Sequence, residues 1–316
     1  MKFLFISPRF SGGIGGHASM LAEQLTNAGH EVTKMHTPHI PIKNLKNPSF
    51  ALFGSIKGIL TKQRYDIIHG FNVPSAFALK YSKGEKKVLS IHGVFSEQVK
   101  KLHSGTVSSM ATETESRVLT WADKLTTDSR ATQIAYKKKL NLDFEYLPSP
   151  IDSEKLDKIP YVEKNTNQVI YLGRNSTEKG IDILKKIESR INAKVVYCTN
   201  LPWEDAMIHL KKSKLLVVPS RMESLPTNIK EALYLKIPVV ATNVGGIPEL
   251  IINQKNGILV SSENSEELLE SINSLLNNEK LSASLTSNGF DFINENMTWK
   301  KILPEYIRFY KKLLES

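Results

Sequence analysis

The sequence predicts an α/β protein made of two doubly wound, Rossmann-like domains facing each other across a central cleft. Short β-rich runs alternate with longer amphipathic stretches along the whole chain. That alternation gives parallel sheets with helices on both faces. It occurs twice, with the connector "PSPID", Pro148–Asp152, between the two series, and 316 residues suffice for two domains of ordinary size.

In the first half, strands are expected at "KFLFIS", "EVTKMHT", "DIIHG", "KVLSIH", "KLTTD" and "FEYLPS". In the second half they are expected at "QVIYLGR", "AKVVYCT", "KLLVVPS", "PVVATN" and "GILVSS". Several are continuous apolar runs without alternation, as in strands covered on both faces. Stretches such as "HASMLAEQLTNAGH" and "SEELLESINSLLNN" supply the helices between them. Pro148 and Pro150 around Ser149 stiffen the link and put a hinge near 149–152. The expected divisions are 1–149, 150–298 and a final helix, 299–316, crossing back toward the first domain. Pro304 should kink that helix. In the plainer alternative it packs only on its own domain.

The composition, 41% hydrophobic and 23% charged, belongs to a folded globular chain. One cysteine, Cys198, excludes an internal disulfide and makes the reducing cytoplasm the expected compartment. "MKFLFIS" is too short an apolar run for a secretory signal, and no apolar stretch is long enough to span a membrane. The net charge of +10 is uneven: residues 1–148 carry 20 Lys/Arg against 11 Asp/Glu, and the remainder 22 against 21. A basic first half suits an anionic partner, such as a membrane surface, a phosphorylated acceptor or nucleic acid, or else is a solvated Lys-rich surface.

Five motifs could carry chemistry. In "PSRMESLPTNIKEAL", Glu223 and Glu231 stand either side of a helix start that follows a buried strand. Pro226 suits the first turn, and the free N–H groups of a helix end suit a phosphate. Carboxylates beside such a site repel the anion unless they face hydroxyls, which an ionised carboxylate accepts in pairs. The pair therefore fits a sugar-phosphate ligand, against two solvated surface glutamates. In "YLGRNSTEKG", Arg174 and Lys179 at a strand end can hold a diphosphate without a metal, or be ordinary loop cations. In "VATNVGGIPELI", Gly245 and Gly246 let backbone approach a ligand, or make a tight turn. "SGGIGGHA" places Gly15 and Gly16 after the first strand. It matches a dinucleotide fingerprint formally, but "VTKMHTPH" lacks the acidic residue that NAD requires. His92 in "LSIHGV" sits at a strand's C-terminal end, where a site role competes with a structural one. His17 and His69 are weaker candidates of the same kind.

Taken in order, these residues resemble the family-4 glycosyltransferases of the GT-B fold (glycosyl transferases group 1), over nearly the whole chain. "GRNSTEKG" resembles the family's Gly-Arg…Glu-Lys-Gly motif, and "PSRMESLPTNIKEAL" its pair of glutamates separated by seven residues. "VATNVGGIPELI", "NGILV", the N-terminal "GGIGGHA" and the late "MTW" follow in the expected order. The resemblance implies a retaining hexosyltransferase that uses a nucleotide sugar, such as a UDP- or GDP-sugar, and a glycan or lipid-linked acceptor. It implies that Glu231 holds the ribose hydroxyls and Glu223 the transferred sugar. Arg174 and Lys179 would neutralise the diphosphate, assisted by backbone near Ser224, Leu225, Thr227, Gly245 and Gly246. His92 would lie beside the sugar, with Gly15 and Gly16 approaching the phosphates.

The chain departs from the family pattern in having "SLPT" where a Gly-rich turn is usual, which reshapes the sugar pocket. No Asp-x-Asp sits at a strand end; Asp143-Phe-Glu145 and Asp152-Ser-Glu154 come nearest. No cofactor and no metal are therefore expected, the two cations doing a metal's electrostatic work. Two other functions remain open. A sugar-nucleotide epimerase of the same fold would epimerise or hydrolyse a UDP-sugar without an acceptor. A non-enzymatic anionic-lipid-binding protein would bind in a salt-sensitive way without donor affinity. No nucleic acid is expected, because interleaved aromatic and basic residues are missing.

Residues 43–64, "KNLKNPSFALFGSIKGILTKQR", combine the cations Lys43, Lys46, Lys57, Lys62 and Arg64 with Phe50, Leu52, Phe53, Ile56, Ile59 and Leu60. On one helical face the apolar set suits the inner face of an anionic membrane. In the competing arrangement that face packs on the first sheet.

Overall fold

A computed structural model of the chain describes residues 1–37, 40, 42, 46–94 and 106–316. Contacts divide it into two compact units: Met1–Ser149 with Ile302–Ser316, and Pro150–Lys301.

The first unit is built on strands β1 (Lys2–Ile6), β2 (Glu31–Met35), β3 (Tyr65–Phe71), β4 (Gly84–Ser90), β5 (Lys124–Thr127) and β6 (Glu145–Tyr146). They form a parallel sheet in the order β2-β1-β3-β4-β5-β6. Phe3, Phe5 and Ile6 are fully buried on alternate sides of β1, which explains why the run "KFLFI" shows no alternation. Helix α1 (Gly13–Asn27) leaves β1, helix α2 (Lys46–Leu60) follows β2, and helix α3 (Ser75–Tyr81) follows β3.

The second unit carries β7 (Asn165–Leu172), β8 (Lys194–Cys198), β9 (Ser213–Val218), β10 (Val239–Thr242) and β11 (Ile258–Val260). This sheet is also parallel, in the order β11-β10-β9-β7-β8. One core lies on each face, centred on Ile170, Leu216 and Ile229 on one side and on Val169, Leu215 and Ile272 on the other. All eleven strands overlap the segments the sequence nominates, and β3, β4, β7 and β9 begin one to three residues before them.

The last helix, Trp299–Glu315, contains Pro304 and belongs to the first unit from Ile302 onward. Two tyrosines one turn apart fix it there. Tyr310 Oη lies 2.7 Å from His69 Nδ1, and Tyr306 Oη lies 3.0 Å from His17 Nε2 while donating to the Leu147 carbonyl at 3.1 Å. The other nitrogen of His69 meets Ser90 Oγ at 2.6 Å, and burial lowers its pKa to about 3, so the ring is neutral. His69 and His17 are thereby accounted for as members of the polar core that anchors this helix.

Helix α2 divides its faces differently from the expectation. Phe50 is fully buried, and Gly54 and Gly58, one and two turns on, bring the backbone against α3. A Cβ at Gly58 would stand 2.9 Å from the Ala78 carbonyl oxygen. Phe50 therefore does not share a face with Leu52, Phe53, Ile56, Ile59 and Leu60, which are exposed. The apolar stripe does not pack on the sheet; the side of α2 that faces the protein is made by Phe50 and by the two glycines that lie against α3. Lys43 and the side chain of Lys46 lie outside the described residues.

Candidate active site

In the second sheet the chain passes from β7 outward to β8 and returns to β9 on the other side, so strand order reverses between β7 and β9. Loops leaving the C-terminal ends of two such strands diverge, and open α/β sheets take ligands in the resulting crevice. The loop after β7 is Gly173–Gly180 and the loop after β9 is Pro219–Pro226.

The two loops meet through an ion pair. Lys179 Nζ donates to both carboxylate oxygens of Glu223, at 2.7 and 2.8 Å, and Ser220 Oγ donates to Oε1 at 2.8 Å. The Glu223 side chain is only 7% exposed. A buried carboxylate requires such partners, since an unpaired one costs several kcal/mol, on the order of 3–5.

Two glycines make the approach possible. Gly180 has φ 66°, and a Cβ there would stand 1.8 Å from the Pro219 carbonyl oxygen. Gly245, φ 54°, would place a Cβ 1.9 Å from the Glu223 carbonyl oxygen, to which the Gly246 N–H donates at 3.4 Å. The space expected for a ligand beside Gly245 is thus filled by the Glu223 backbone. Arg221 ties the loops further, donating to Asp182 at 2.7 and 2.8 Å, to Glu263, and to the Thr177 carbonyl at 2.6 Å. Arg174 is not drawn to Glu223. Its side chain is 66% exposed, and its guanidinium pairs with Glu178 inside its own loop.

Ser224 and Leu225 complete the second loop, with Leu225 buried, and Thr227 opens the helix Thr227–Tyr234. Pro226 is the residue capping that helix, one position before the expected first turn. Pro226 supplies no side-chain cap and the first turn carries no acid; Asn228 Oδ1 accepts from the Ile229 N–H at 2.9 Å, and the N–H groups before it suit an anion.

Glu231 lies one turn in and is buried. It accepts from Trp203 Nε1–H at 2.7 Å, while Lys155 Nζ sits 4.3 Å from the Trp203 ring centroid. Burial pushes the Glu231 carboxyl up to about 7; the Trp203 hydrogen bond, then the charges of Lys230 and Lys155, pull the other way. A carboxyl raised above its ordinary 4.5 holds its proton longer in the folded chain than in the unfolded one. Ionising it opposes folding, so its contribution to stability falls as pH rises from about 4.5 through about 7. Glu231→Gln should therefore melt higher than the parent protein at about pH 8 and no higher at about pH 5, as thermal unfolding would show.

In the first unit, His92 follows β4 and its Nδ1 lies 2.8 Å from Asp128 Oδ2, which also accepts from Ser149 Oγ at 3.3 Å. Asp128 thereby sets the orientation of the His92 ring. Gly15 and Gly16 lie in the first turn of α1. A Cβ on Gly15 would come 2.2 Å from the Arg9 carbonyl oxygen, so this glycine permits packing of the preceding loop, whereas Gly16 has room. The α1 N-terminus stands after β1, where the order of the first sheet reverses.

Residues 184–292 match the family described as Glycosyl transferases group 1, and residues 11–155 match Glycosyltransferase Family 4. The chain belongs to the family-4 glycosyltransferases of the GT-B fold. An uncharacterized glycosyltransferase of Methanocaldococcus jannaschii is 24% identical over 98% of this chain and 96% of its own. A second from the same organism is 29% identical over 49% of this chain, which spans about half of that relative, 51%. Among solved structures, sucrose-phosphate synthase from Thermosynechococcus elongatus superposes with TM-score 0.79 at 18% identity, over 99% of each chain. HepE of Anabaena, in complex with UDP-glucose, gives 0.73 at 16% identity, over 99% of this chain and 100% of that one.

In this glycosyltransferase the sequence reading missed Asp128, Trp203 and Arg221. Asp128 and Trp203 follow β5 and β8, strands adjacent to those carrying His92 and Arg174, and that strand-end position was the available signal. Membership in an enzyme family sets aside the non-enzymatic lipid-binding alternative.

Proposed function

We propose that this glycosyltransferase moves a sugar from a UDP- or GDP-sugar to a glycan or lipid-linked acceptor, with retention of anomeric configuration and without a metal ion. It would do so in the cytoplasm, at the inner face of the membrane. The Lys179–Glu223 contact at the β7/β9 reversal carries this proposal, since it puts a cation and a carboxylate where a sugar diphosphate would lie. The complex of HepE with UDP-glucose supports the donor class.

Glu231 would accept the two ribose hydroxyls, and Glu223 would accept hydroxyls of the transferred sugar. As the acceptor's hydroxyl oxygen bonds to the anomeric carbon, the bond from that carbon to the phosphate oxygen breaks; its electron pair goes to the diphosphate, and the hydroxyl's proton passes to the departing phosphate oxygen. Lys179, Arg174 and the N–H groups at Ser224, Leu225 and Thr227 would stabilise that charge. In the first unit, taken by itself, His92 is oriented by Asp128, and the α1 N-terminus at Gly15 and Gly16 suits an anion. Because ionised Glu231 is the better acceptor, UDP should bind more tightly above the Glu231 transition near 7 than below it.

Transfer should be undiminished in EDTA, and the product should keep the donor's anomeric configuration in a proton NMR spectrum. Loss of activity in chelator that manganese restores, or an inverted product, would contradict the proposal. Conversion of the donor to an epimer without acceptor would favour the epimerase alternative.

A further inference from the structure

We propose that α2, with the basic segment that follows it, docks the first unit on an anionic lipid surface. The side of α2 that packs on the protein is made by Phe50, Gly54 and Gly58. At about 100° per residue, Leu52, Phe53, Ile56, Ile59 and Leu60 fall on the opposite side. They are 37% to 72% exposed and form one contiguous apolar arc. Scattered surface leucines need no explanation, but five large apolar side chains on one helical face do.

The charge around this arc selects the occupant. Between Glu31 and Asp66 the chain has six Lys or Arg and no Asp or Glu. Lys57 lies on the helix; Lys62 and Arg64 follow it and are exposed. Lys83 lies beside the end of this segment and beside α2, since its carbonyl accepts from the Tyr65 N–H at 3.2 Å and its neighbour Ser82 lies against Gly58. An apolar arc framed by cations matches the boundary between acyl chains and anionic headgroups. A second copy of the chain would bring like charges together, which opposes self-association through this face. Among the described residues no helix is long and apolar enough to cross a membrane, so the contact is with the surface. The docking surface stands without the transfer reaction, whereas a lipid-linked acceptor rests on the function proposed above.

Co-sedimentation with phosphatidylcholine vesicles, with and without phosphatidylglycerol, tests this. The protein should bind the anionic vesicles at low salt and be released by high salt. Ile56→Asp with Leu60→Asp should lower binding about tenfold or more, and each of Lys62→Gln and Arg64→Gln about fivefold. Both pairs are exposed, so melting temperature and UDP titration should not change, which separates failure of docking from failure of the donor site. Equal binding to neutral vesicles, or apolar variants that bind as the parent does, would overturn the proposal. So would a dimer in size-exclusion chromatography that the apolar variants dissolve, with no vesicle binding by the parent.

Discussion

Replacing Lys179 with alanine should cut sugar transfer by about 10²–10³-fold, the usual loss when one preorganised donor to a developing oxyanion is removed. Lys179 donates to both oxygens of Glu223, so it is held at the mouth of the β7/β9 crevice before any ligand arrives. The fall should appear in kcat more than in KM, because the charge it stabilises grows as the sugar–phosphate bond breaks. Alanine also strands Glu223, so part of the loss belongs to the pair. Glu223→Ala and the double variant resolve this: residues acting as a unit give a double loss well short of the sum of the singles. Arg174 is farther out and paired with Glu178, so Arg174→Ala should reduce the rate less than Lys179→Ala. Steady-state kinetics on the parent and the four variants would show it, and unchanged turnover in Lys179→Ala would remove this residue from the chemistry.

Gly245→Ala should lower the melting temperature of the second unit by on the order of 10 °C. Two effects combine. An alanine at φ 54° carries left-handed strain of about 1–2 kcal/mol. Its Cβ would also stand 1.9 Å from a backbone carbonyl oxygen, which can move only with the loop that carries Glu223. The total is about 2–4 kcal/mol. Gly16→Ala is the control: its Cβ meets nothing nearer than 3.9 Å and lies within a helix, where alanine is the better helix former. Gly16→Ala should melt at or slightly above the parent, and equal melting of both variants would mean that the contact at Gly245 is not constraining.

The fold was legible in the sequence because buried parallel strands announce themselves. "KLLVV" and "PVVAT" are apolar without alternation, and only a sheet covered on both faces accommodates that. Glu223 and Glu231 were legible because they share one short segment with a helix start. What was not legible depends on register between distant segments. Trp203 reaches Glu231 across 28 residues, Asp128 reaches His92 across 36, and Arg221 reaches Asp182 across 39. Nothing local in "LPWED" or "TTDS" says which neighbour the side chain will meet. The faces of α2 show the same limit. An apolar pattern shows that a stripe exists, but Gly54 and Gly58, which carry no hydrophobic signal, decide which side packs. Gly245 shows it again, since its freedom serves the approach of Glu223.

The donor site is tested most directly by isothermal titration of UDP and of GDP into the parent protein and into Glu231→Ala at about pH 8, where Glu231 is ionised. One of the two nucleotides should bind the parent. Glu231→Ala should lose roughly 1.5–3 kcal/mol of that affinity, the scale for a hydrogen bond to a charged group, or about 10–150-fold in Kd. Binding of neither nucleotide, or equal binding by the parent and Glu231→Ala, would contradict the assignment of this crevice as the nucleotide-sugar site.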